Sequence, residues 1–420
     1  MVDQKEVIVN KLKILILLFC ILNYGSVFSK EYFGNTNLMK EKFQEDSLPP
    51  KKNVSAKVAK PFLSGKDTIL DYTMEGIFKN KSGDFVQAIA SFTKALELDS
   101  SSATAYLNRA FAKKQLLDYK GAISDYNRAL RLQLTWEESY EAYYNKALAQ
   151  VSLKNLEGAM SNFNYALKLN PEYADAYFNR SLVKGMIGDY PGELSDINKA
   201  IVLNPRNALA FNSRGIVKSI IGDLDGAIKD YTQAIFIDKT NASYYFNRAL
   251  ILYELKQYID ALNDFNTAIE ISPDAEIFNR RANVKCRLND FRGAIEDCNA
   301  AIKIQPGYYV AYLNRGFLKF DLKDYISAIE DYTSAIKLKP DYSLAYYYRG
   351  VAKGKLDDHK GEIEDYSLAI EYKPDDEKAY TQRGLAKYQS GDKKGGCQDL
   401  NNAVKLGSDL AYENLILYCK

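Results

Sequence analysis

The sequence predicts an all-α solenoid of ten stacked helix pairs, and two observations carry that expectation. A 34-residue pattern recurs ten times between Ile69 and Leu410. Within each copy the apolar residues return at helical spacing, three and four apart, instead of alternating as they would along a strand. Counted from Ile69, position 8 is small in every copy, from Gly76 and Ala110 to Gly384, and position 27 is alanine in all ten, from Ala95 to Ala403. Such a period marks one supersecondary unit that cannot bury its apolar face alone and therefore stacks on its neighbours.

Each unit divides at a Gly-Asp or Lys-Asp turn. In the eighth, Tyr312, Gly316 and Lys319 fall on one face of a first helix. Beyond Lys323-Asp324, Ile329, Tyr332, Ala335 and Ile336 fall on one face of a second. Small residues at positions 8, 20 and 27 let the two backbones approach. Tyrosine or phenylalanine at position 4, and aromatic residues at position 24 in seven copies, fill the space between. Proline ends the second helix at Pro171, Pro205, Pro273, Pro306, Pro340 and Pro374, since it cannot continue a hydrogen-bonded helix.

Four departures from the pattern stand out. Glu193 and Glu362 replace alanine at position 20, which puts the packing there in question, and Gly396 does so in the last copy. Three extra residues lie between copies two and three, around Trp136, and one residue is missing between copies six and seven, near Asp274. Each should change the superhelical angle locally. After the tenth copy, Leu410, Leu415, Ile416 and Tyr418 suit a last helix over 411–420 that caps the array.

The offsets of aromatic, small residue, alanine, aromatic, alanine and proline resemble those of the tetratricopeptide repeat family, over about four-fifths of the chain (69–410). The resemblance implies a right-handed superhelix of antiparallel helix pairs. Its first helices would line a concave groove that usually binds peptides or partner proteins.

Ahead of the repeats, Lys5, Lys11 and Lys13 precede an apolar core from Ile14 to Leu22, and Val27 and Ser29 suit a signal-peptidase site. Residues 1–29 therefore read as a secretory signal, which places the protein in the periplasm or outside the cell. Lipidation at Cys20 and an uncleaved anchor are the alternatives. Residues 30–66, with Pro49, Pro50 and Pro61, eight lysines and four acids, read as a flexible linker. It would tether the array off a membrane or act as a basic arm for an anionic surface.

A net charge of +2 gives no electrostatic case for nucleic acid. Of the cysteines beyond the signal, Cys397 and Cys419 are the best candidate pair, and the alternative is that these two, with Cys286 and Cys298, are small buried hydrophobes. No cofactor is expected. The single histidine, His359, lies at a turn with no cysteine beside it, and no metal-ligand spacing or phosphate-binding glycine loop occurs. The expectation is a non-catalytic scaffold. An accessory subunit that holds an envelope enzyme or transport complex through the convex face is the alternative.

Two recurring pairs bear on how such a scaffold is built. Arginine fills position 7 and aspartate position 23 in the same eight copies, from Arg109 and Asp125 to Arg383 and Asp399. The copies with Glu75 and Lys146 instead carry Ser91 and Asn162. Joint loss predicts that the two side chains meet across the helix pair. At position 6, Asn108, Asn145, Asn179, Asn247 and Asn314 form a broken ladder, interrupted at Ser213 and Arg280. The family places this position on the concave face, where a carboxamide can donate to and accept from a peptide backbone. Tyr144, Phe178 and Phe246 at position 5 would form an apolar wall beside it. Alternatively, the asparagines bond locally and the apolar residues pack neighbouring first helices.

Overall fold

A computed structural model of the chain describes residues 68–419. The signal, linker and tether readings for 1–29 and 30–66 lie outside the described residues. What is described is entirely helical. Ten helix pairs follow one another, from Ile69–Lys81 with Phe85–Leu98 to Glu377–Gln389 with Lys393–Lys405, and a last single helix spans Asp409–Tyr418. Each pair is one sequence unit.

The turns explain why the pairs are so alike. Position 15 adopts a left-handed backbone in all ten units: glycine at Gly83, Gly188, Gly222 and Gly391, and Leu117, Lys154, Lys256, Asn289, Lys323 and Asp357 elsewhere. The next residue caps the second helix in nine of them. Asp324, for example, accepts from the backbone N–H of Ser327, which satisfies one of the free donors of the first turn. Second helices close just before the prolines, at Leu169, Leu203, Ile271, Ile304, Leu338 and Tyr372. The same stop occurs at Ile237, where no proline follows.

The core lies between and behind the paired helices. Alanines at positions 20 and 27, such as Ala328 and Ala335, are completely buried, and so are the position-24 rings Phe92, Phe163, Tyr231 and Tyr332. A Cβ on Gly316 would stand 2.6 Å from the Tyr332 ring, so glycine at position 8 makes room for a tyrosine at position 24. Burial of large rings against small residues in this way supplies most of the apolar stabilisation. The position-4 aromatics pack against the core as the pattern suggests, with Tyr346 buried in it and Tyr312 and Tyr380 against the same cluster. Most of them are half-buried and lie beneath a position-7 arginine, with 5.5 Å from Arg315 Cζ to the Tyr312 ring centre.

The last helix starts at Asp409, two residues earlier than the expected 411, because Ser408 caps it. It buries Ala411 and leans Leu415 and Cys419 on Leu400 and Ala403. Cys397 and Cys419 are joined as a disulfide with a Cα–Cα distance of 5.7 Å, so two of the four cysteines are not merely small hydrophobes. Cys286 and Cys298 are free. Closing a loop of 22 residues constrains the unfolded chain by about 3 kcal/mol.

Deleting the chain from Asp409 onward should strip cover from Leu400 and Ala403 and break the disulfide. The expected result is faster hydrogen exchange in units nine and ten and a loss of solubility. Unchanged exchange in those two units would show that the helix is not a cap.

Candidate functional site

The predicted arginine–aspartate contact is made in all eight units that carry both residues. In unit two the Nε and Nη2 of Arg109 donate to Oδ2 and Oδ1 of Asp125 at 2.8 Å each, a two-pronged bond from first helix to second. The third nitrogen reaches backwards: Nη1 donates to Thr93 Oγ1, on the second helix of the preceding unit. The same step recurs from Arg180 to Asn164, Arg214 to Asn198 and Arg315 to Asn299. A lysine at position 11 adds a second cation to most of the aspartates, as with Lys319 Nζ at 2.8 Å from Asp331. The aspartates are the buried partners. The Asp331 side chain is 3% exposed and that of Arg315 19%. The hydrogen bonds that Arg315 donates to Asp331 raise its pKa further.

Unit three replaces the whole constellation. Lys146 stands for the arginine, Gln150 for the lysine and Asn162 for the aspartate, and Asn162 Nδ2 donates to Gln150 Oε1 at 2.7 Å. A neutral amide pair thus takes the place of an ion cluster. Glutamate at position 20 has its own compensation. Position 12 is glycine in the same two units, and a Cβ there would stand 2.5 Å from Glu193 at Gly185 and 2.6 Å from Glu362 at Gly354. Glu362 also accepts from the Tyr366 hydroxyl and lies 3.2 Å from His359 Nδ1, which gives the only histidine a helix-start contact.

The position-6 asparagines bond along the row of first helices. Asn179 Nδ2 donates to the Tyr144 hydroxyl at 3.0 Å and to Asp175 O at 2.9 Å. Asn247 donates to Asn212 Oδ1 and Asn314 to Asn279 Oδ1, each at 2.9 Å. Asn145 donates to Glu141 O and accepts from Lys114 Nζ at 2.7 Å; burial pushes that ammonium down to about 8. Asn108 donates to Thr104 O. Asn212 and Asn279 belong to the two copies where the ladder breaks, so it continues there one position earlier. Position 5 of those copies carried the signal, which was hidden by reading position 6 alone.

Family models described as "Tetratricopeptide repeat" match residues 112–174, 242–275 and 309–342, and one described as "TPR repeat" matches 220–256. The chain is a tetratricopeptide-repeat protein. It is similar to the "Tetratricopeptide repeat protein 36 homolog" of Nematostella vectensis, at 36% identity over 62 residues, 15% of this chain and 34% of that one. The Danio rerio "Tetratricopeptide repeat protein 36" is likewise 36% identical, over 64 residues, with the same shares of 15% and 34%. The chain thus spans about a third of the length of these curated relatives. Among solved structures it is similar to yeast Tom70, at 18% identity and a TM-score of 0.41, over 85% of this chain and 88% of that one.

In this repeat protein the expected apolar wall is largely internal. Tyr144, Phe178 and Phe246 are only 7%, 5% and 8% exposed. Tyr144 packs on Phe163 and Tyr173, and Phe246 on Phe265, with ring centres 4.8–5.9 Å apart. Asn179 is buried too, and both hydrogens of its amide are used. Half-exposed members of the ladder are Asn108, Asn145, Asn247 and Asn314. Beside them, position 9 is half-exposed at Phe111, Leu148 and Phe317 but buried at Leu182, Ile216 and Leu250. Half-exposed apolar residues at position 9 therefore fall in two stretches, Ile77, Phe111 and Leu148 in units one to three and Phe317, Val351 and Leu385 in units eight to ten. There Phe317 meets Tyr348 edge-on at 4.3 Å.

Changing Asp331 to Ala strands Arg315 and Lys319 in a half-buried site and should cost on the order of 3 kcal/mol by urea denaturation. A double-mutant cycle with Arg315→Ala should give a coupling above about 1 kcal/mol. Strict additivity would show that the contact carries no energy.

Proposed function

We propose that this repeat protein is an exported, non-catalytic interaction scaffold that holds a peptide segment or partner protein along its row of first helices. The family is one of interaction scaffolds, and one observation supports the choice of face. Around units two and three, half-exposed amides (Asn108 and Asn145) alternate with half-exposed apolar side chains (Phe111 and Leu148). Amides suit the backbone of an extended segment and the apolar groups its side chains. Asn145 is engaged with Lys114, so Asn108 is the freer amide. Asn179, Tyr144, Phe178 and Phe246 support this surface from inside. A second reading, docking through the convex side, draws on Val202 and Phe236, which occupy the same position of adjacent units and are 72% and 75% exposed. Export is supported by the layout of residues 1–29 and by the Cys397–Cys419 bond, which persists in oxidising compartments.

A photo-crosslinking residue at Leu148 should capture the physiological partner, while one at Phe236 should not. The reverse pattern would favour the convex reading. Asn108→Ala combined with Leu148→Ala removes a hydrogen bond and an apolar contact, about 1 kcal/mol each. Binding of that partner should weaken tenfold or more with helical content and melting temperature nearly unchanged.

Thiol counting tests export. Protein taken from its native source and denatured without reductant should lack reactive thiols at Cys397 and Cys419. Free thiols at both positions would remove the support that the disulfide lends.

A further inference from the structure

We infer that the junction between units two and three is a hinge, dividing the array into a block of two units and a block of eight. Nine junctions separate the ten units, and at eight of them an arginine stitches the first helix of one unit to the second helix of the unit before. At the ninth, Lys146 stands where the arginine would be and makes no ion pair among the described residues. The acceptor it would need is nevertheless in place. Asn127 occupies the same position as Asn164, Asn198, Asn266 and Asn299, which accept from arginine at their own junctions.

Two further departures fall at the same place. The second helix of unit two, Tyr119–Ala129, has 11 residues where its counterparts Phe85–Leu98 and Leu156–Leu169 have 14 each. The link to the next helix runs over 130–135, against 99–102 and 170–173 at the flanking junctions. Contacts across the junction include apolar packing around Ala110, Tyr126 and Ala142 and a bond from Lys114 to Asn145. Apolar contact is non-directional, and a lysine on a flexible stem can follow its partner, whereas a guanidinium fork fixes an angle. Rotation of the two units about this junction therefore breaks no arginine stitch. The rotation would change the distance from Asn108 and Phe111 to Asn145 and Leu148, on its opposite sides. The hinge stands on the missing stitch, whether or not that surface binds a peptide.

Hydrogen exchange on the full chain tests it. Amides over 119–139 should exchange about tenfold faster than those over 190–208, the matching stretch at the junction of units four and five. Equal rates would overturn the inference. The variant Lys146→Arg with Gln150→Lys and Asn162→Asp restores the clamp next to Asn127 and should slow exchange over 119–139 to the level of the other junctions. Because that variant introduces a buried acid, the opposite transplant is the control. Arg214→Lys with Asp230→Asn should speed exchange over 190–208 about tenfold while leaving 119–139 unchanged. No change at either site would show that the stitch does not hold the junctions.

Discussion

The guanidinium at position 7 is the contact on which the array depends. Helix pairs packed only by alanines and rings could slide or rotate, because apolar contact has no preferred direction. The fork of Arg109 or Arg180 removes that freedom twice, within its own pair through the aspartate and to the previous pair through a threonine, serine or asparagine. Aspartates at position 23 are nearly buried, so each needs its cation; losing one partner leaves an uncompensated charge. The position-4 ring supports the guanidinium from one side, a contact to which its planar group is well suited. Register and pitch are thus held by charge-assisted bonds, while apolar burial supplies the bulk of the stability.

Where that clamp is absent, the chain has altered its neighbours as well. Unit three exchanges all three members together for Lys146, Gln150 and Asn162, and its amide pair satisfies the groups that a lone substitution would have stranded. Glutamate at position 20 follows the same logic, since glycine at position 12 opens the space it occupies. Substitutions inside the repeat are therefore coupled over one contact distance. Single columns mislead; pairs of columns inform.

The seam between first helices has a comparable economy of polar groups. Position-6 amides bond to their own helix or to the preceding unit, and most of their hydrogens are used there. This ties the inner face together at modest energy per bond. It leaves accessible the residues that stand one turn further along, at position 9, and only where that position is not covered. Phe111, Leu148 and Phe317 are such places, whereas Leu182 and Leu250 are closed over. A surface broken in the middle of the array suits two short contacts better than one long track.

The sequence by itself determined the repeat, the turn inside each unit and the arginine–aspartate pairing, because a 34-residue period prints each structural role in a column that can be compared ten times. The joint absence of Arg and Asp was legible for the same reason. Only the tertiary structure decided which half-apolar positions face solvent. Tyr144, Phe178 and Phe246 look like groove residues from one unit, yet all three are buried, Tyr144 and Phe246 against the rings of their own second helices. It also showed that the arginine reaches a third helix, a contact sixteen residues back whose partner varies between threonine, serine and asparagine. No single residue type marks that column, so its role appears only when the neighbouring unit is in place.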